Sequence, residues 1–125
     1  MKSSELNKLL IERFPNLNEE YIEEIEWQEG NDTGAHVVFG DVFTPNLINS
    51  MKNNKYEEII CYFEFIEMVL DLEDPYADEV VLFSVLESIE YLVSGNKKLF
   101  SLLGDKSKKN MVLIQEYLHK HDIGI

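Results

Sequence analysis

The chain has 125 residues and a formal net charge of −13 at neutral pH, from 24 acidic and 11 basic side chains. Hydrophobic residues make up 45%, including seven Phe, six Tyr and one Trp, which is enough apolar area for one buried core and excludes a disordered acidic tail. An anionic body repels nucleic acid and anionic lipid at long range and attracts cationic partners, so no binding to DNA, RNA or membranes is expected.

The charge is uneven. Residues 1–95 hold 21 acids and 5 bases, whereas residues 96–125 hold 3 acids and 6 bases. Cys61 is the single cysteine and lies in an apolar run, which fits a reducing cytoplasm. The opening Met1-Lys2-Ser3-Ser4-Glu5 is too polar for a secretory signal, and carboxylates interrupt every apolar run. A cytoplasmic location without a membrane span is therefore expected.

In chain order, Ser4 is the candidate cap of a first helix running to about Phe14, with Leu6, Leu9, Leu10 and Phe14 on one face. Pro15-Asn16 stops it. Asn18 is the candidate cap of a second helix, with Leu17, Tyr21, Ile22 and Ile25 as its buried stripe. Glu19, Glu20, Glu23, Glu24, Glu26 and Glu29 surround the rest. The early ones favour the positive end of the helix dipole, and the later ones need solvent or a basic partner. Trp27 lies off the stripe, to be packed on a neighbouring helix or partly exposed. Gly30-Asn31-Asp32-Thr33-Gly34 is a loop that closes a helical pair over residues 1–30, too short for a core of its own.

Residues 36–43 are ambiguous. Val37, Val38 and Phe39 favour a strand by propensity, while Phe39, Val42 and Phe43 fit helical spacing. No other segment supplies a second strand, so the expectation is a helix with a break, restarting at Thr44 as cap and Pro45 in the first turn. Asp41 then caps that helix, pairs with a lysine, or stands at the rim of a groove. Leu47, Ile48 and Met51 face inward, and Asn53-Asn54 ends the piece.

Residues 56–72 read as a central helix. Tyr56, Ile59, Ile60, Phe63, Ile66 and Leu70 make one face, widened by Tyr62, Phe65, Val69 and Leu72. Only Glu57, Glu64, Glu67 and Asp71 are left for water. Asp74 is the cap of the next helix and Pro75 its first residue. Over residues 76–93 the inward face is Val81, Leu82, Val85, Leu86, Ile89, Leu92 and Val93. The opposite side mixes aromatics with carboxylates, and no base offsets them.

Ser94-Gly95 terminates that helix, and residues 36–93 complete the core. Residues 96–125 supply two C-terminal helices. Asn96 starts a short one through Leu99, Phe100 and Leu103, ended by Gly104. Asp105 or Ser107 begins the last, with Met111, Ile114 and Leu118 buried, Lys106, Lys108, Lys109 and Lys120 exposed, and Gly124-Ile125 frayed. The helices at His36 and Tyr76 begin about forty residues apart, near the period of HEAT or armadillo repeats. The expected architecture is a single all-α domain over residues 1–125, a compact stack of about six to seven helices with HEAT-like spacing.

Signatures of chemistry are missing. The sequence has no Gly-rich phosphate loop, no Cys-x-x-Cys, no His-Glu-x-x-His and no Gly-x-Ser-x-Gly. On a helix His119 and His121 point apart and cannot share a metal. Nothing pairs His36 with Cys61, and the paired carboxylates fall mainly on outward faces. The expectation is a non-enzymatic chain with no catalytic residue, no metal ligand and no cofactor.

One stretch carries a resemblance. The sequence His36-Val37-Val38-Phe39-Gly40-Asp41-Val42-Phe43-Thr44-Pro45, then Leu47-Ile48, an apolar helix from Tyr56 and Glu79-Val80-Val81 resemble a group of small acidic helical bacterial proteins. The likeness spans residues 36–118 and rests mainly on Phe39-Gly40-Asp41-Val42. Proteins of this type are similar to immunity proteins of bacterial toxin systems, which implies a cytosolic inhibitor that covers a basic nuclease-type toxin. The resemblance transfers no inhibitory residue. Composition instead points to Tyr76, Glu79, Phe83, Glu87, Glu90 and Tyr91, with Glu19, Glu23 and Glu26 of the acidic helix, as the partner-binding residues. The partner is a basic protein. The alternative is a helical adaptor or scaffold that acts as a homodimer through Tyr76, Phe83 and Tyr91.

Overall fold

A computed structural model describes the backbone of residues 1–123 and the side chains of residues 1–118. The side chains of His119, Lys120 and His121, and residues Gly124 and Ile125 altogether, lie outside what is described, and with them the expected divergence of the two histidines, the exposure of Lys120 and the frayed end. The described residues are all-α and contain no strand. Seven helices follow one another: α1 (Ser3–Arg13), α2 (Asn18–Trp27), α3 (35–52), α4 (Tyr56–Asp71), α5 (75–93), α6 (Lys97–Leu102) and α7 (Asp105–Ile123). Helices α3 and α5 are each interrupted by one π-helical turn, Phe39–Phe43 and Leu82–Leu86, without a break in the chain direction.

The apolar spacing places the core as expected. Leu6, Leu10 and Phe14 of α1, Phe39, Phe43 and Leu47 of α3, and Ile59, Phe63, Phe65 and Ile66 of α4 are buried together. Phe14 anchors an aromatic cluster, with Tyr62 at 4.9 Å and Phe65 at 5.4 Å between ring centroids, and Phe43 reaches Tyr62 at 5.4 Å. Edge-to-face and tilted pairs of this kind add to the stabilisation from burial alone. Helix α4 packs on α3, α5 and α7, which is why it has so little polar surface.

Several local expectations change. Ser4 is not the cap of α1: the cap position is Lys2, two residues earlier, and Glu5 Oε1 instead accepts the Lys2 N–H at 3.1 Å. A 3₁₀ turn, Pro15–Leu17, leads straight into α2, so Asn18 is its first residue rather than its cap. Ile22, Ile60 and Leu72 were assigned to buried stripes and are exposed, because each lies at the edge of its apolar arc. Asp74 does cap α5, accepting the Ala77 N–H at 2.9 Å, and Asn96 caps α6 through the Leu99 N–H at 3.0 Å.

The break expected at Thr44-Pro45 is absent. Proline lacks an N–H, and its ring crowds the carbonyl four residues back. The wider π turn before Pro45 relieves that crowding, with the Thr44 N–H bonded to the carbonyl of Phe39, so the helix runs through. Thr44 is not a cap. Its hydroxyl donates to the carbonyl of Ser84 at 2.7 Å, which ties one π turn to the other. His36 adds a second tie, Nδ1 to Ser84 Oγ at 2.8 Å.

Glu67 is also reassigned. Its place in the polar strip of α4 points to solvent, yet it is half-buried and caps α7 from outside. Its carboxylate accepts the N–H of Lys106 at 2.9 Å, the N–H of Ser107 at 3.0 Å and the Ser107 hydroxyl at 2.8 Å. Gly104 is required beneath it, since a Cβ there would collide with the Glu67 side chain. The loop before α3 is fastened to α1 in the same manner, with Asn7 Nδ2 donating to the Thr33 carbonyl at 3.0 Å.

Candidate functional site

Two solvent-facing grooves stand out, and they share no residue. The first, about 730 Å³, lies between α5 and α7 and has Phe83 in its wall. Three predicted residues, Tyr76, Glu79 and Phe83, meet in its wall. Phe83 is 54% exposed. Tyr76 is half-buried and structural as well, its hydroxyl bonded to Ser3 Oγ at 2.6 Å and its ring set edge-on to His36. Glu87, Glu90 and Tyr91 continue along α5 outside this wall. Tyr91 is 57% exposed and Glu87 exposed, whereas Glu90 is half-buried.

The same groove contains residues that the sequence reading did not select. Lys106 and Lys109 of α7 face the acids of α5, so this surface is mixed in charge rather than purely acidic. Lys106 pairs with Asp71 at 3.3 Å and Glu73 at 3.4 Å, and hydrogen bonds to them push its ammonium above the ordinary value. Burial raises the Asp78 carboxyl, repulsion from Asp74 adds to this, and Lys106 opposes it. The buried Asp78 Oδ1 has no hydrogen-bond partner among the described residues. The lysines were assigned to an exposed helix side; what the linear pattern lacks is that this side borders α5.

The second groove, about 570 Å³, is formed where α2 meets the first π turn of α3. Its walls are Glu20, Glu23, Glu24, Glu26, Trp27 and Asp41, with no base among them. Glu23 and Glu26 were predicted contacts; Glu19 is exposed on α2 but outside the wall. Trp27 is 84% exposed, so of the two fates open to it the packed one does not occur. Asp41 neither caps α3 nor pairs with a lysine, and takes the groove-rim position that was its third possibility. The neighbouring Asp41 carboxyl, by hydrogen bonding first and then with burial and charge repulsion, raises the Glu24 carboxyl above its ordinary value. Glu20 accepts the Asn46 amide at 3.0 Å.

His36, Ser84 and Glu79 form a short polar array, with His36 Nε2 at 4.0 Å from Glu79. A nucleophilic site also needs a cavity for substrate beside the serine. Neither groove has His36 or Ser84 in its wall, and the array as placed links α3 to α5. No cluster of three metal-ligating side chains occurs among the described residues, and no helix there is long and apolar enough to cross a membrane.

Comparison with known families matches residues 7–121 to a family model described as Domain of unknown function (DUF7674). The chain belongs to the DUF7674 family. The match covers both grooves, so the α5–α7 and α2–α3 surfaces both lie within the family's domain. No curated protein and no solved structure matches this DUF7674 chain.

Proposed function

We propose that this DUF7674 chain is a non-enzymatic, cytosolic protein-binding module that captures a basic protein, in the manner of an immunity protein neutralising a nuclease-type toxin. The observation that supports the reading is the α2 groove: an aromatic side chain 84% exposed, walled by carboxylates, with no basic residue among the described residues of its wall. Exposed aromatics provide anchors, and uncompensated like charge speeds the approach of an opposite charge. The net charge of −13 extends that attraction beyond the groove.

The test is binding to basic nuclease-type domains encoded beside this gene. A stoichiometric complex that abolishes nuclease activity, with an association rate that falls as salt rises, is expected. A nuclease that stays active at saturating chain, or a rate indifferent to salt, rejects the reading.

The homodimer alternative draws its support from Phe83 and Tyr91, both more than half exposed on α5. Sedimentation of the chain decides it: a dimer that Phe83→Asp converts to monomer favours an adaptor, and a monomer at all concentrations removes it.

A further inference from the structure

The geometry points to a free α-amino acid as the ligand of a third groove, bound as a zwitterion. Its carboxylate meets Arg13, Lys55 and the start of α4, and its ammonium lies between Glu58 and the Tyr62 hydroxyl. The site stands apart from the basic-partner reading, since this groove shares no wall residue with the two already described.

The groove, about 530 Å³, opens where the end of α1, the second half of α3 and the first turns of α4 converge. Small-molecule clefts run to roughly 300–1,000 Å³. Tyr62, in its wall, is 6% exposed and its ring is fixed against Phe14 and Phe43, yet its hydroxyl bonds to no described residue. That hydroxyl is not sealed in the core and opens onto the groove. A tyrosine buried to this degree ordinarily has its hydroxyl paired, so the missing partner is a group that enters from outside.

The wall is balanced in charge. Residues 1–95 carry only 5 bases, and Arg13 and Lys55 of that set meet here. Neither makes an ion pair with a described residue. Helix α4, 16 residues long, begins at the groove without a side-chain cap, and its positive dipole end adds to the attraction for a carboxylate. The same wall holds Glu57 and Glu58, and Glu58 accepts the hydroxyl of the buried Ser50 at 2.6 Å. Burial, then the charges of Glu58 and Glu20, raise the Tyr62 titration, so its hydroxyl keeps its proton in a negative potential suited to an ammonium.

A simple anion would meet Glu57 and Glu58, and a simple cation Arg13 and Lys55. A ligand with both charges on one carbon satisfies both sets, whereas a peptide carries them at opposite ends. Asn16, Asn46 and Asn49 bring carboxamides to the wall, which suits a polar side chain such as that of glutamine.

Cys61 is the single cysteine, is half-buried and lies in this wall, so its reaction with a neutral pyridyl disulfide reports on occupancy. The full chain is titrated with L-glutamine and followed by that rate and by calorimetry. Glutamine is expected to bind and to slow the Cys61 reaction over the same concentration range. Its deaminated counterpart, glutaramic acid, and its decarboxylated counterpart, γ-aminobutyramide, should each bind about tenfold more weakly or worse, since each loses one charge-assisted contact. Arg13→Gln and Glu58→Gln should likewise weaken glutamine binding about tenfold. Tyr62→Phe removes only the hydroxyl and keeps the ring, so binding should fall severalfold with the thermal midpoint unchanged or higher.

No binding of glutamine, serine or leucine at millimolar concentration overturns the site. Serine or leucine binding in place of glutamine upholds it with a different side-chain preference. Either one-charge analogue binding as tightly as glutamine overturns the zwitterion assignment. Binding untouched by both Tyr62→Phe and Arg13→Gln overturns it too, and shows that the Tyr62 hydroxyl is merely hydrated.

Discussion

Glu67 shows how one side chain changes role when its neighbours are known. Burial by itself raises its carboxyl; the Lys106 and Ser107 N–H groups, the Ser107 hydroxyl and the charge of Lys106 outweigh that and hold it below the ordinary 4.5. A carboxyl depressed by folding stabilises the fold above its unfolded value, and the contribution disappears as pH falls through the folded value. Glu67→Ala leaves two N–H groups at the start of α7 without their acceptor. It should cost about 1–3 kcal/mol in urea unfolding at neutral pH. The difference between variant and parent should shrink as the solution is acidified below the ordinary carboxyl range; a difference that stays constant with pH would show that the charge of Glu67 is not what matters. Gly104→Ala should destabilise by the same route, because the new Cβ displaces the capping side chain. Glu67 falls on the polar side of a helical wheel, and the wheel says nothing of α7 arriving above it.

The π turns are the feature of the elements that matters most. Thr44-Pro45 reads as a helix start in any local pattern, since Thr caps and Pro begins helices. Packing against α5 favours continuity instead, and the Thr44 hydroxyl is committed to the Ser84 carbonyl. Thr44→Val keeps the shape and removes that bond in a buried place, so a loss of about 1–2 kcal/mol in stability is expected. A variant as stable as the parent would mean that the two π turns are held together by apolar packing alone. Asn96→Ala, by contrast, tests a cap that was legible in the sequence, and should cost about 1 kcal/mol.

For the molecule as a whole, charge and surface aromatics decide the expected behaviour. Trp27→Ala should leave the unfolding midpoint unchanged within error, because the ring contributes little to the core, while weakening binding to a basic partner. A large loss of stability in calorimetry would instead assign Trp27 a packing role. Helix α7 exposes Val112, Leu113 and Tyr117 beside its lysines. They lie away from the buried Met111 and Ile114, the two residues of this helix that the sequence pattern places inward and that the structure buries.

The sequence by itself determined the all-α class, the capped starts of α5 and α6, and the core positions of α1, α4 and α5. These follow from 3.6-residue periodicity and from local capping chemistry, which act over a few residues. It also marked α2 as an acidic helix whose later glutamates need solvent or a basic partner. Only the tertiary structure decided that Tyr76, Glu79 and Phe83 face two lysines, that Glu67 caps α7, and that Glu24, Trp27 and Asp41 share one groove. Each of these joins residues from separate helices, Glu24 and Asp41 among them, and such pairings are set by how helices cross rather than by what any one of them contains.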